Sequence, residues 1–257
     1  MFLRVGTFLW ISFAGLVVAC GGPPDPLSNL ARGEEGRVVR VMDGDALALE
    51  TGQSVRLVGL EAPSFGRNDE PDQPHADRSK RALEDLVLGR TVRLYYPGLT
   101  RDKYDRALAH VKTIDDRGPK LWVNLALVES GAGRVRAYPD TAPLTDILIE
   151  AEVIARAEKL GLWRESAYAP LAASELTGDE VGFYLINVEI EGPVPTDRPG
   201  QLCAKGLRRS NLRLIADPPA PSLCDALPGE KLLARGYVTR NRLYVTHDLN
   251  LQVAEVD

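Results

Sequence analysis

The stretch GRVVRVMDGDALALETGQSVRLVGLEAP, Gly36–Pro63, decides how this chain folds. Its runs GRVVRVM, ALALE and SVRLVGL are rich in Val and Leu, and the breaks DGD and TGQ between them are polar turn signals containing glycine. The pattern predicts three short antiparallel strands in a meander.

Toward the carboxyl terminus, Pro71 to Pro74 marks a loop, and His75 to Leu88 spaces Ala82, Leu83, Leu86 and Val87 along one helix face before Gly89. TVRLYY (91–96) and ALAHVKT (107–113) read as two more strands around the loop PGLTRDKYDR. LWVNLALVES reads as a helix stopping at Gly131, and Leu144 to Lys159 as another stopping at Gly161. The order βββαββαα is mainly β with helices (α+β) and fits a small closed five-stranded barrel with three helices around it. After residue 180 the runs GFYLINVEI, LRLIA, KLLARGYVT and RLYVTH alternate with Pro- and Gly-rich loops. They predict a second, all-β domain in which another small barrel would fit.

The 257 residues, 44% hydrophobic and 26% charged, are those of a folded chain with room for one large domain or two small ones. A formal net charge of -5 excludes a chain-wide basic field of the kind that drives nonspecific nucleic-acid binding. Locally, Arg78 to Arg106 carries 8 basic residues against 4 acidic ones. That excess suits a phosphate-facing surface, or equally a solvated helix and its neighbouring hairpin.

The chain opens MFLRVGTFLWISFAGLVVACGG, with Arg4 followed by an apolar run from Val5 to Ala19 that is short for a bilayer span and right for a signal sequence. Val17-Val18-Ala19-Cys20 resembles a bacterial lipobox, with Cys20 the lipidated residue; the alternative is an ordinary secretory signal with an incidental cysteine. Several acyl chains, at about 0.8 kcal/mol per buried CH₂, would anchor the chain stably to a membrane. The expected location is the bacterial cell envelope, on the outer membrane or in the periplasm if the source is Gram-negative. With Cys20 consumed, Cys203 and Cys224 form an even pair in an oxidising compartment, and a disulfide is expected. The resulting organisation is signal 1–20, tether 21–35, first domain 36–166, linker 167–179 and second domain 180–257.

DGD supplies Asp43 and Asp45 on a turn, and LVGLEAP supplies Glu61 at a strand end. Such oxygen ligands suit Ca²⁺ or Mg²⁺, although the same tripeptide is also a common hairpin turn. Arg56 and Arg106 have the planar fork that pairs with phosphate. Arg56 and Glu61 are five residues apart, an odd spacing, so the strand must bend before both can serve one face. The histidines His75, His110 and His247 form no metal or catalytic cluster, with His75 and His247 expected at the surface and His110 at the core edge or exposed. Trp122 and Trp163 read as core, and none of Ser64, Ser79 and Ser130 has a nucleophile-elbow context.

DGD (43–45), VRLVGLEAP (55–63), DKYDRALA (102–109) and EKLGLW (158–163), in that order, resemble the staphylococcal nuclease, or thermonuclease, family over Gly36 to Arg164. The resemblance implies a five-stranded oligonucleotide-binding (OB) barrel with three helices and a Ca²⁺-dependent nuclease site acting on DNA or RNA, single strands being the expected form. It implies Asp45, Glu61 and the Ala62 carbonyl as metal ligands, Arg56 and Arg106 as the catalytic pair on the scissile phosphate, and Lys103 and Tyr104 on a neighbouring phosphate.

Three positions depart from the family pattern. Glu61 stands in place of aspartate, and Asp105 in place of a turn glycine, a conformation aspartate tolerates. Ser64 stands where a glutamate after the proline activates the attacking water. Serine is no base at neutral pH without a partner, and general-base help is worth about 10² to 10⁴ in rate. Asp69 or Glu70 is the candidate substitute. The expectations are therefore a slow calcium-dependent nuclease, a degenerate fold serving as a noncatalytic envelope binding module, or a purely structural envelope lipoprotein. In the second domain Arg235, Arg240 and Arg242 are expected on an exposed hairpin, with a structural or partner-binding role for the domain.

Overall fold

A computed structural model describes residues 25–66 and 70–254. The lipobox cysteine Cys20 and the candidate base Asp69 lie outside the described residues.

The predicted meander forms as β1 (Ala31–Asp43), β2 (Ala46–Leu49) and β3 (Ser54–Leu57), joined by β5 (Thr91–Tyr96) and β6 (Ala107–Thr113). A two-residue strand β4 (Leu60–Glu61) and helix α1 (Ala76–Val87) lie between β3 and β5. The barrel closes in the order β1-β2-β3-β6-β5, with β3 and β6 parallel and the remaining pairs antiparallel. Alternating side chains such as Val38, Leu47, Val55, Leu57, Leu94 and Val111 fill its interior. Helices α2 (Val123–Glu129) and α3 (Thr145–Ala157) follow β6, with β7 (Arg134–Val135) between them paired to β4. Asn124, buried on α2, accepts from the Val111 amide at 2.8 Å and donates to the Val58 carbonyl at 2.9 Å, satisfying backbone groups at the barrel's edge.

The expected tether is corrected from residue 25 onward. Asp25 caps a 3₁₀ turn at Pro26–Asn29, Leu27 is fully buried, and Ala31 to Arg37 pairs with β5. The charged sequence RGEE hides this strand because its side chains face solvent and charged partners: Glu35 pairs with Arg93 of β5, and Glu34 with Arg101 in the loop after β5. The expected linker is likewise folded. Tyr168 is buried and donates to the Pro74 carbonyl at 2.6 Å, and β8 (Leu171–Ala172) runs parallel to the next strand.

That strand, β9 (Gly182–Val194), begins the second barrel, which continues through β10 (Cys203–Leu207), β11 (Ser210–Ala216), the short helix α4 (Ser222–Asp225), β12 (Lys231–Thr239) and β13 (Arg242–Val245). Its order β9-β10-β11-β13-β12 closes by pairing β12 to β9, and β11 runs parallel to β13. The connectivity repeats that of the first barrel, so the chain is two OB-type barrels in tandem. A last strand, β14 (Leu251–Val253), pairs with β12. A disulfide joins Cys203 and Cys224, tying β10 to α4. No helix among the described residues is long and apolar enough to cross a membrane.

Arg235 is not on an exposed hairpin: it is the largest fully buried side chain among the described residues. It leaves β12 toward the first barrel, where its guanidinium meets Glu152 of α3 at 2.6 Å, both side chains wholly buried, and donates to the Val135 carbonyl at 3.0 Å. Glu152 accepts from the Val135 amide at 2.6 Å. Around this pair Ala155, Leu162, Trp163 and Tyr168 pack on Phe183, Leu185 and Leu233 of the second barrel. A charge that cannot remain unpaired in a dry interface accounts for the position.

Candidate active site

The turn between β1 and β2 positions the first carboxylate. The Asp43 side chain accepts from the Asp45 amide at 3.1 Å, and a Cβ on Gly44 would come within 2.6 Å of Ala62 and 2.7 Å of Ser79, so glycine lets the turn press against the next segment. Asp45 is thereby buried. Its Oδ2 accepts from the Ala62 amide at 2.9 Å and meets Arg56 Nη2 at 2.9 Å, while Oδ1 is buried with no hydrogen-bond partner. Burial pushes the Asp45 carboxyl well above its ordinary pKa; Arg56 pulls it back and Asp43 adds to the rise.

Arg56 reaches Asp45 because β2 and β3 pair Ala46 with Arg56. The bend that the odd Arg56 to Glu61 spacing requires falls at Gly59, whose φ of +76° is left-handed. Burial opposes the charge on Arg56, but Asp45, Asp43 and Glu61 together outweigh it and hold the guanidinium protonated more firmly than in water.

Arg106 arrives from the hairpin between β5 and β6. Asp105 takes φ +61° at the turn, as expected of an aspartate in place of glycine. Asp102, which the sequence reading left without a role, organises this turn. Its Oδ1 accepts from the amides of Tyr104 (2.9 Å) and Arg106 (3.0 Å), and its Oδ2 from Arg106 Nε at 2.7 Å. Burial raises the Asp102 carboxyl, yet these hydrogen bonds from Arg106 and Tyr104 outweigh it and hold it below the usual range. Arg56 and Arg106 line one cleft of about 330 Å³, with Gly59, Leu99, Asp102 and Tyr138. Lys103 Nζ and Arg106 Cζ lie 5.0 and 5.7 Å from the exposed Tyr104 ring, so Lys103 and Tyr104 stand in solvent on the hairpin that carries Arg106.

Glu61 forms a close ion pair with Arg136, which the sequence reading did not single out. Arg136 also lies 4.7 Å from the Tyr138 ring and 5.2 Å from that of Phe183. The alternation of GRVRAY signals a strand carrying Arg134 and Arg136 on one face, but nothing local in it names Glu61 as the partner.

Ser64 is exposed, and its amide and carbonyl are held by Gln73. Glu70 is exposed and makes no hydrogen bond or ion pair among the described residues.

Among the described residues, Asp45, Glu61 and the Ala62 backbone could offer oxygens to a cation. Among the described residues no three His, Cys, Asp or Glu side chains form a metal cage. The unpartnered, buried Asp45 Oδ1 nevertheless fits a hard cation, because such ions accept two carboxylates and complete their shell with carbonyl, water and phosphate oxygens.

Arg56, paired with the buried Asp45, and Arg106, paired with Asp102, face one cleft at the flank of an OB barrel, an arrangement of positive charge suited to a phosphate group. Residues 54–165 match the family model of staphylococcal nuclease homologues. The chain is 30% identical over 145 residues to a thermonuclease of Staphylococcus intermedius, a match covering 55% of this chain and 83% of that protein. It is 33% identical over 138 residues to an uncharacterized endonuclease of Escherichia coli O157:H7, covering 52% and 80%, and 26% identical over 140 residues to a thermonuclease of Staphylococcus hyicus, covering 53% and 79%. The chain belongs to the family of staphylococcal nuclease homologues. The family match ends before the second barrel begins.

Proposed function

We propose that this protein is a calcium-dependent nuclease, held in the bacterial envelope through Cys20, that hydrolyses phosphodiester bonds of single-stranded DNA or RNA slowly because Ser64 replaces the general base. The observation that carries the reading is the convergence of Arg56 and Arg106 on one cleft beside Asp45.

The two guanidiniums grip nonbridging oxygens of the scissile phosphate. Their pull grows as water attacks phosphorus in line and charge builds on the pentacoordinate transition state. Arg106 is kept in place by Asp102, and Arg56 by Asp45. Lys103 and Tyr104, in solvent on the hairpin that carries Arg106, hold the neighbouring phosphate and so orient the strand across the cleft. Asp45, Glu61 and the Ala62 carbonyl would hold Ca²⁺, which when bound supplies Lewis-acid polarisation of the phosphate and a lowered pKa for water. The Ser64 hydroxyl can orient water by hydrogen bonding but cannot take its proton, so that proton passes to solvent.

The test is release of acid-soluble nucleotides from single-stranded DNA and from RNA by the purified chain, with Ca²⁺ and with chelator. Calcium-dependent release lowered about 10²-fold or more by Arg56→Ala or Arg106→Ala is expected, the loss typical of one transition-state donor. Binding of nucleic acid without release would favour a noncatalytic envelope binding module, a reading supported by the exposed serine at position 64.

A further inference from the structure

Glu61 is one of the two carboxylates available to a cation, yet it already has one. The β4–β7 ladder sets Glu61 opposite Arg134, and the Arg136 amide donates to the Gly59 carbonyl at 3.1 Å, so the Arg136 side chain enters the site from the same ladder. The ion pair it forms with Glu61 is about one-fifth exposed on each side, 22% and 21%. The guanidinium is walled by the rings of Tyr138 and Phe183. Phe183 belongs to β9 of the second barrel, is buried, and accepts from Arg134 through its carbonyl at 2.8 Å. The second barrel therefore supplies one wall of the compartment that keeps Arg136 against Glu61.

We propose that Arg136 is a built-in counter-ion of Glu61 that competes with the divalent cation, and that Phe183 holds it there, so that the second barrel sets the cation affinity of the nuclease site. The proposal rests on the reading of Glu61 as a cation ligand. A bound cation draws on the same carboxylate oxygens, so it must share them with Arg136 or displace it. Removing the guanidinium frees those oxygens without altering Asp45, Ala62 or Glu61. Loosening the Phe183 wall lets Arg136 leave more easily and works in the same direction. Arg136 is thus a positioning residue for Glu61, and the second barrel acts on the site without touching the substrate.

The experiment is calorimetric titration of the full chain in detergent micelles with calcium chloride, comparing the parent with Arg136→Gln, Arg136→Lys, Phe183→Leu and Asp45→Asn. Arg136→Gln is expected to bind calcium about fivefold more tightly, the factor equivalent to a partly exposed ion pair of about 1 kcal/mol. Arg136→Lys, which keeps the charge but shortens its reach, should fall between Arg136→Gln and the parent. Phe183→Leu should tighten binding by a smaller factor, and Asp45→Asn should weaken it. Equal or weaker binding by Arg136→Gln, with Asp45→Asn still weakened, would overturn the counter-ion while leaving the cation site standing. Tightening in Arg136→Gln with no change in Phe183→Leu would overturn the part given to the second barrel. Absence of binding in every form would overturn both the proposal and the cation reading beneath it.

Discussion

Replacing Arg235 by methionine removes the charge that joins the two barrels and leaves Glu152 buried with its 2.6 Å partner gone. The Val135 carbonyl loses its donor at the same time, as does the Gln252 side chain, which Arg235 meets at 2.7 Å. Breaking a wholly buried pair from one side costs about 3 to 5 kcal/mol, because the remaining charge has nowhere to go. At roughly 2 to 4 °C per kcal/mol for a protein of this size, the melting temperature should fall by about 10 °C. Thermal unfolding followed by circular dichroism and by tryptophan fluorescence reads the change. Trp122 in the first barrel and Trp163 at the interface report on the two regions. Adding Glu152→Gln to Arg235→Met should recover part of the loss, since a neutral amide oxygen can still accept from the Val135 amide. The Nε of Arg235 is buried without a hydrogen-bond partner even in the parent, which limits what the ion pair can contribute beyond its charge. A fall of less than about 1 kcal/mol, or no recovery in the double variant, would refute the assignment of this pair as the interface lock.

Two further outcomes follow from single residues. His110 is fully buried, with Trp122 Nε1 donating to its Nδ1 at 3.2 Å and its Nε2 facing the Pro143 carbonyl at 3.3 Å, and burial lowers its pKa from 6.5 to about 4. Unfolding lets it take up a proton that the native state refuses, so stability is full above pH 6.5 and falls as the pH drops toward 4, by about 3 kcal/mol over the whole window. Asp45, whose carboxyl is raised, contributes with the opposite sign, so urea unfolding at pH 7 and pH 5 should be compared between the parent and His110→Asn; equal pH slopes would contradict the assignment. Asp102→Ala should lower kcat/KM about tenfold by freeing Arg106, equivalent to roughly 1.4 kcal/mol of transition-state binding, and Asp102→Asn should lose less because one oxygen can still accept from the turn amides. Unchanged kcat/KM in Asp102→Ala would show that Arg106 orients itself.

Where periodicity or turn chemistry carried the information, the sequence was readable. Alternating Val and Leu marked β1 to β3 and β5 to β6, and Gly89, Gly131 and Gly161 marked where helical segments stop. The first half of β1 was not, because RGEE spends its side chains on ion pairs with β5 and the loop after it rather than on the core. Arg235 was unreadable for a related reason: an arginine in a strand is ordinarily exposed, and its burial depends on Glu152, distant in sequence. Within the site, family motifs named Asp45, Arg56, Glu61 and Arg106, while bringing the Glu61 charge to bear on Arg56 depends on Gly59 adopting a left-handed φ, which spacing alone does not dictate. Asp102 lay inside a quoted motif and was readable as a turn-former. Arg136 and Phe183 were not, since their relation to Glu61 exists only once β4 pairs with β7 and the second barrel closes against them.

The most direct test compares cleavage of single-stranded DNA by the parent and by Ser64→Glu at saturating Ca²⁺, with chelator as the blank. The account predicts slow, calcium-dependent cleavage by the parent and an acceleration of about 10² or more when the carboxylate is placed at position 64. Cleavage by neither protein, or a parent already as fast as Ser64→Glu, would contradict it: the first would deny the arginine and cation site any hydrolytic competence, and the second would mean that another group already takes the proton.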